Sequence, residues 1–120
     1  MMLIPGQVLL VNSVFVDGSE SGDPRPFLIV NIDGNFAQAL NVSSVKGKEH
    51  KLAFPSNVQL IAYDPPFRYP SFVKLDVLYE FEIFPELKNA ALQNGRTLDR
   101  DQLSIILNSL SLYQRTIKKV

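Results

Sequence analysis

Across residues 71–82 apolar and polar side chains alternate: Val73, Leu75, Val77, Tyr79 and Phe81 share one face, and Lys74, Asp76, Glu80 and Glu82 the other. A period of two belongs to a half-buried strand and excludes a helix there, so one side lines a core and the other meets solvent. The rest of the chain repeats this theme in shorter pieces. After Pro5-Gly6, the runs 8–11 and 14–16 read as a buried first strand, residues 17–24 as a hairpin loop and 27–31 as its partner strand. Asp33-Gly34-Asn35 is a tight turn and 36–42 a third strand. The charged stretch 46–51 reads as a loop or hairpin tip, and 58–63 as a further strand. Pro65, Pro66 and Pro70 stop that strand, because proline removes ladder donors. One helical turn is expected around 86–92, closed by Asn94-Gly95.

The last element is a helix with a defined start. Asp99 and Gln102 have the spacing of a capping box, and Leu98 and Leu103 that of a hydrophobic staple. Leu103, Ile106, Leu107, Leu110, Tyr113 and Ile117 then recur at helical spacing, with Arg115, Lys118 and Lys119 where the helix dipole favours cations. Five or six short strands and one helix predict a mainly β protein, a strongly curved antiparallel sheet or small barrel with the C-terminal helix packed on it. At 120 residues and 46% hydrophobic content the chain has the size and apolar content of one domain, residues 1–120.

Charge narrows the functional classes. Twelve basic and twelve acidic residues cancel, so general adhesion to nucleic acid or anionic lipid is not predicted. The charges are nevertheless segregated: residues 41–74 hold Lys46, Lys48, Lys51, Arg68 and Lys74 against Glu49 and Asp64, a net of +3. Without cysteine there is no disulfide framework, thiol nucleophile or thiolate zinc site, which fits a cytoplasmic protein. The first residues lack the basic and apolar regions of a signal peptide, and no stretch is predicted to enter a membrane.

Arg25 stands between Pro24 and Pro26 at the entrance to the strand that begins Phe27-Leu28-Ile29-Val30. Proline biases the residue before it toward extended backbone, so the chain leaves its loop stiffly and the guanidinium is pre-oriented. Such a fork of donors suits phosphate or carboxylate; the two prolines are equally compatible with loop punctuation around an ordinary surface charge. Metal catalysis is not expected, since His50 is the one histidine and the acid row Asp76, Glu80 and Glu82 reads as solvated. A Ser-His-Asp triad lacks its nucleophile elbow, and Gly47-Lys48 lacks the remainder of a phosphate loop. The constellation that survives is Arg25 at the start of one strand and Ser43-Ser44 at the end of a neighbour. An arginine and a hydroxyl facing one phosphate can stabilise charge on a pentacoordinate phosphorus.

These residues, taken in order, resemble the MazF/PemK family of toxin endoribonucleases of bacterial toxin–antitoxin pairs. The likeness is carried by Pro5-Gly6-Gln7-Val8-Leu9-Leu10-Val11, by Asp17-Gly18-Ser19 through Arg25-Pro26-Phe27-Leu28-Ile29-Val30, and by Asn41-Val42-Ser43-Ser44. Pro70-Ser71-Phe72-Val73-Lys74-Leu75-Asp76 and Gly95-Arg96-Thr97-Leu98 extend it through the C-terminal half. Three departures stand out: Gln7 replaces the usual acid, serines replace the usual threonine, and the loop 46–51 is unusually charged.

The resemblance implies an SH3-like antiparallel barrel of five to seven strands, a homodimer, an mRNA interferase that cuts single-stranded RNA at short sequences without metal or cofactor, and a cognate antitoxin protein. On this reading Arg25 stabilises charge, Ser43 hydrogen-bonds a phosphate oxygen, and Ser44 is the alternative hydroxyl. A guanidinium keeps its proton, so the proton carriers remain unassigned, with His50 a candidate. Lys46, Lys48, Lys51 and Arg68 are candidate RNA-backbone contacts, and Tyr69, with Phe67, a surface on which unpaired bases can stack. Two other functions are weighed: a same-fold toxin that binds gyrase, whose C-terminal tryptophan is missing here, and a catalytically inactive SH3-like binding module.

Overall fold

The computed structural model describes residues 2–12, 24–113 and 116–119, with Lys118 described by its backbone alone. Strands β1 (Val8–Asn12), β2 (Pro24–Asp33) and β3 (Phe36–Ser44) form an antiparallel meander. Beyond it β3 serves two partners. Its C-terminal half pairs with β5 (Ser71–Lys74), which pairs with β4 (Asn57–Gln59), and its N-terminal half pairs with β6 (Val77–Glu82). Helix α1 (Arg100–Leu112) and strand β7 (Thr116–Lys119) follow, and β7 lies parallel to β6, the one parallel pair among the described residues of a seven-stranded sheet. The sheet does not close into a barrel. Among the described residues no helix is long and apolar enough to cross a membrane.

Alternation along β2 and β3 divides the interior into two cores. Leu28, Leu40 and Val42 enter the first, with Val73, Leu78 and the α1 residues Ile106 and Leu110. Phe27, Ile29, Ala37 and Ala39 enter the second, with Leu9 and Phe81. Phe27 meets Tyr79 edge to face there, with ring centroids 5.4 Å apart, a favoured geometry for aromatic pairs.

The expected continuous strand 71–82 is two strands broken at Leu75-Asp76. The break arises because β5 and β6 pair with different halves of β3. The intervening backbone serves other segments: Leu75 N–H donates to the Ser56 carbonyl at 2.7 Å, and Thr116 N–H to that of Asp76 at 3.0 Å. Phe72 and Leu78 are buried although they occupy the predicted polar register, because both sides of the sheet are covered. The loop expected at 17–24 and the residues 14–16 lie outside the described residues, save Pro24, which opens β2.

Asp99 caps α1 as its spacing predicts, its Oδ2 accepting from Gln102 N–H at 3.0 Å. The reciprocal half of the box is absent. Gln102 Oε1 instead accepts the N–H groups of Ile61 (2.8 Å) and Ala62 (3.1 Å), which tie this segment to the helix. That is why the strand expected over 58–63 ends at Gln59. Gln102 is buried, so Gln102→Leu strands two backbone donors; about 2 kcal/mol of stability should be lost, measurable as a lower urea midpoint. The helix is shorter than its apolar spacing suggests: Tyr113 turns extended, and Ile117, Lys118 and Lys119 belong to β7. The last two therefore do not complement the helix dipole, and Lys119 Nζ lies 3.6 Å from Glu80 Oε2, its partner across β6 and β7. Arg115 lies outside the described residues.

Candidate functional site

The face of β3 that supplies Ala37 and Ala39 to the second core continues as Asn41 and Ser43, where the core ends and a cavity of about 360 Å³ opens. The β2–β3 register ends where Phe27 pairs with Asn41; Arg25, two residues before that pair on β2, and Ser43, two residues beyond it on β3, both line the cavity. The two residues therefore border one space from neighbouring strands. On the other flank Val42 pairs with Val73, and Lys74, the next residue of β5, lines the same cavity. Arg25, Ser43, Ser44, Lys48, Tyr69 and Lys74 all line the cavity.

Buried polar groups hold this rim in place. Asn41 Nδ2 donates to the Pro26 carbonyl at 3.2 Å and so anchors the peptide next to Arg25. Ser71, 1% exposed, donates from Oγ to the Tyr69 carbonyl at 2.9 Å, and Val45 N–H to that of Pro70 at 3.0 Å. The loop after Ser44 is turned by Gly47, whose φ of +77° suits glycine, and by Lys48 N–H donating to the Val45 carbonyl at 2.8 Å. These contacts fix the backbone while leaving Arg25 and Tyr69 exposed at the mouth.

Lys74 is the group that sequence reasoning missed. Alternation assigned it to a solvated face, yet it is partly buried, and burial holds its ammonium pKa below the usual lysine value. The positive charges of Lys51, Lys48 and Arg25 push it the same way, against a smaller opposing effect from Asp76. A lysine in that setting exchanges its proton more readily than a free one. Asn41 and Ser71 were likewise not anticipated; only the strand pairing reveals that they frame Arg25 and Tyr69.

The other predicted contacts divide. Lys48 lines the cavity itself, and Lys51 acts on it through its field at Lys74. Lys46 lines a neighbouring apolar recess with Ser44, Glu49 and Tyr69. Arg68 lines a second cavity beyond Tyr69. His50, exposed on a 3₁₀ turn (Glu49–Ala53), does not line the central cavity. Tyr69 is a wall common to all three recesses, which adjoin one another around it as a furrow. Gln7, a departure from the acid expected there, is a buried tie: its Nε2 donates to the Gly95 carbonyl at 3.0 Å and its Oε1 accepts Ile4 N–H at 2.9 Å.

Among the described residues no three histidine, aspartate or glutamate side chains gather as metal ligands. The arrangement combines an exposed guanidinium, the serines at the end of β3, an amine with a lowered pKa and an exposed aromatic ring. That set can grip a phosphodiester, donate to its oxygens and exchange a proton beside it. No protein-family model matches the chain, and comparison with curated proteins yields no match.

Proposed function

We propose that this protein is a metal-independent endoribonuclease of the MazF/PemK toxin kind, cutting single-stranded RNA on an SH3-like scaffold. The supporting observation is the cavity that gathers Arg25, Ser43, Ser44 and Lys74 under an exposed Tyr69. The RNA supplies its own nucleophile. Its 2′-oxygen bonds to the adjacent phosphorus while the bond from phosphorus to the 5′-oxygen breaks, leaving a 2′,3′-cyclic phosphate and a 5′-hydroxyl end. Neutral Lys74 takes the 2′-hydroxyl proton, and water supplies the proton that the departing 5′-oxygen requires. Arg25 neutralises charge growing on the non-bridging oxygens, and Ser43, which lines the same cavity, donates a hydrogen bond to one of them.

Lys48 and Lys51 supply field for the RNA backbone, which makes binding salt-dependent. Tyr69 offers a stacking face for an unpaired base. A homodimer and a cognate antitoxin belong to the same reading. Exposed Ile105 and Leu112 on α1 offer apolar surface for such contacts.

The test is incubation of the purified protein with a long RNA in EDTA, with end analysis of the products. Cuts at a recurring short sequence, ending in cyclic phosphate, are expected. Ser43→Ala should slow them about a hundredfold, as loss of one oxyanion donor does, and Ser44→Ala should slow them less. A wild type that retains RNA without cutting it would instead identify an SH3-like binding module.

A further inference from the structure

Beyond Tyr69 the furrow opens into a second cavity of about 480 Å³, and nothing in the chemistry above uses it. Phe67 and Tyr69 line both this cavity and the one that holds Arg25, and Gln93 and Asn94 line this one with them. These two residues are unusual. Gln93 (φ 54°, ψ 41°) and Asn94 (φ 57°, ψ 31°) are consecutive non-glycine residues in the left-handed region, which side chains seldom occupy in succession. The corner is held from both ends. Buried Gln7 binds the Gly95 carbonyl, Arg96 N–H donates to the Gln93 carbonyl at 3.2 Å, and Leu98 N–H to the Gly6 carbonyl at 2.8 Å. Backbone strain kept in this way is characteristic of positions that serve a ligand.

The polar rim is rich in donors. Arg68 Nη2 donates to Gln93 Oε1 at 3.3 Å, which engages one lone pair of the amide oxygen and turns the amide nitrogen to a guest as a donor. The guanidinium adds further N–H groups beside it, so Arg68 and Gln93 together present donors. Among bases, guanine carries two adjacent acceptors, N7 and O6, on one edge, whereas adenine places an amino donor at the corresponding position. Donor facing donor is a penalty that selects by exclusion.

We propose that this second cavity seats the nucleobase next to the scissile phosphate, stacked on Tyr69, and that Arg68 and Gln93 select guanine over adenine there. The inference rests on the ribonuclease reading for the phosphate site. Gln7, which reaches no guest itself, is a positioning residue for the corner.

Two measurements separate the inference from the reading on which it rests. One maps cuts in a randomised RNA pool; the other follows, by fluorescence anisotropy, short oligonucleotides that carry 2′-deoxyribose at every position and so cannot be cut. Wild type, Arg68→Ala and Gln93→Glu are compared. Arg68 is exposed, so its variant remains folded even should the strained corner resist change. Wild type should favour guanine over adenine beside the cut by about tenfold, and both variants should shrink that ratio toward one. Cutting by wild type with a ratio near one, or with a preference unaltered in both variants, overturns the inference and leaves the nuclease standing. Guanine-selective binding without cutting removes the nuclease and retains the base site. A wild type that neither cuts nor binds discards both.

Discussion

Arg25→Ala should lower the rate of RNA cleavage by about a thousandfold, while the melting temperature stays at or above that of wild type. The size follows from the role proposed for the guanidinium: loss of a donor aimed at charge growing in the transition state costs about two to three powers of ten, and loss of a cationic one costs more. The stability half follows from place. Arg25 is exposed, and its removal relieves repulsion on Lys74. Arg25→Lys should recover only a minor share, since a point charge cannot reproduce a planar fork. Single-turnover kinetics on a short RNA, beside a thermal melt, read both halves. An Arg25→Ala protein that cuts at the wild-type rate would remove the phosphate site from this furrow.

Lys74→Arg should cost on the order of a hundredfold to ten-thousandfold in rate, the usual worth of a positioned proton carrier. It should also change the pH profile. Burial and three neighbouring cations lower the Lys74 pKa, so its neutral amine accumulates at a lower pH than in free lysine. A base must be neutral to accept a proton, so the wild-type rate should rise with pH through that lowered value and then level. Arginine keeps the positive charge and stays protonated, and the rising limb should disappear with it. A Lys74→Arg enzyme with the wild-type profile would reduce Lys74 to a source of field. The same shift acts on folding. The unfolded chain binds the Lys74 proton more tightly than the folded one, so between the lowered value and the ordinary 10.5 this residue makes stability rise with pH. Lys74→Met should therefore melt higher than wild type at neutral pH while failing to cut.

Local patterns carried the elements whose cause is local. The Asp99 cap, the turn at Gly34 and the apolar alternation of β2 and β3 depend on residues within a few positions of each other. The strand 71–82 shows where such reading stops, since alternation specifies a face but not a partner, and two partners on one long strand break the segment in half. Gln102 shows it again: its spacing fits a capping box, but its oxygen serves Ile61 and Ala62, some forty residues upstream. In the cleft, Arg25 and Ser43 were legible because a meander brings such positions together. Lys74 was not, because its placement needs the β3–β5 register, which no local pattern encodes. His50 drew notice by residue type alone, and type does not set direction.

The cleft assembles like charges that gain nothing from one another, and the fold bears that cost while the furrow is vacant. On the proposed function, a polyanion settling there would discharge it. Guest affinity and resistance to unfolding are then two readings of a single free energy, so a tight guest doubles as a clamp on the native chain. Under that proposal the protein should be sturdiest when occupied.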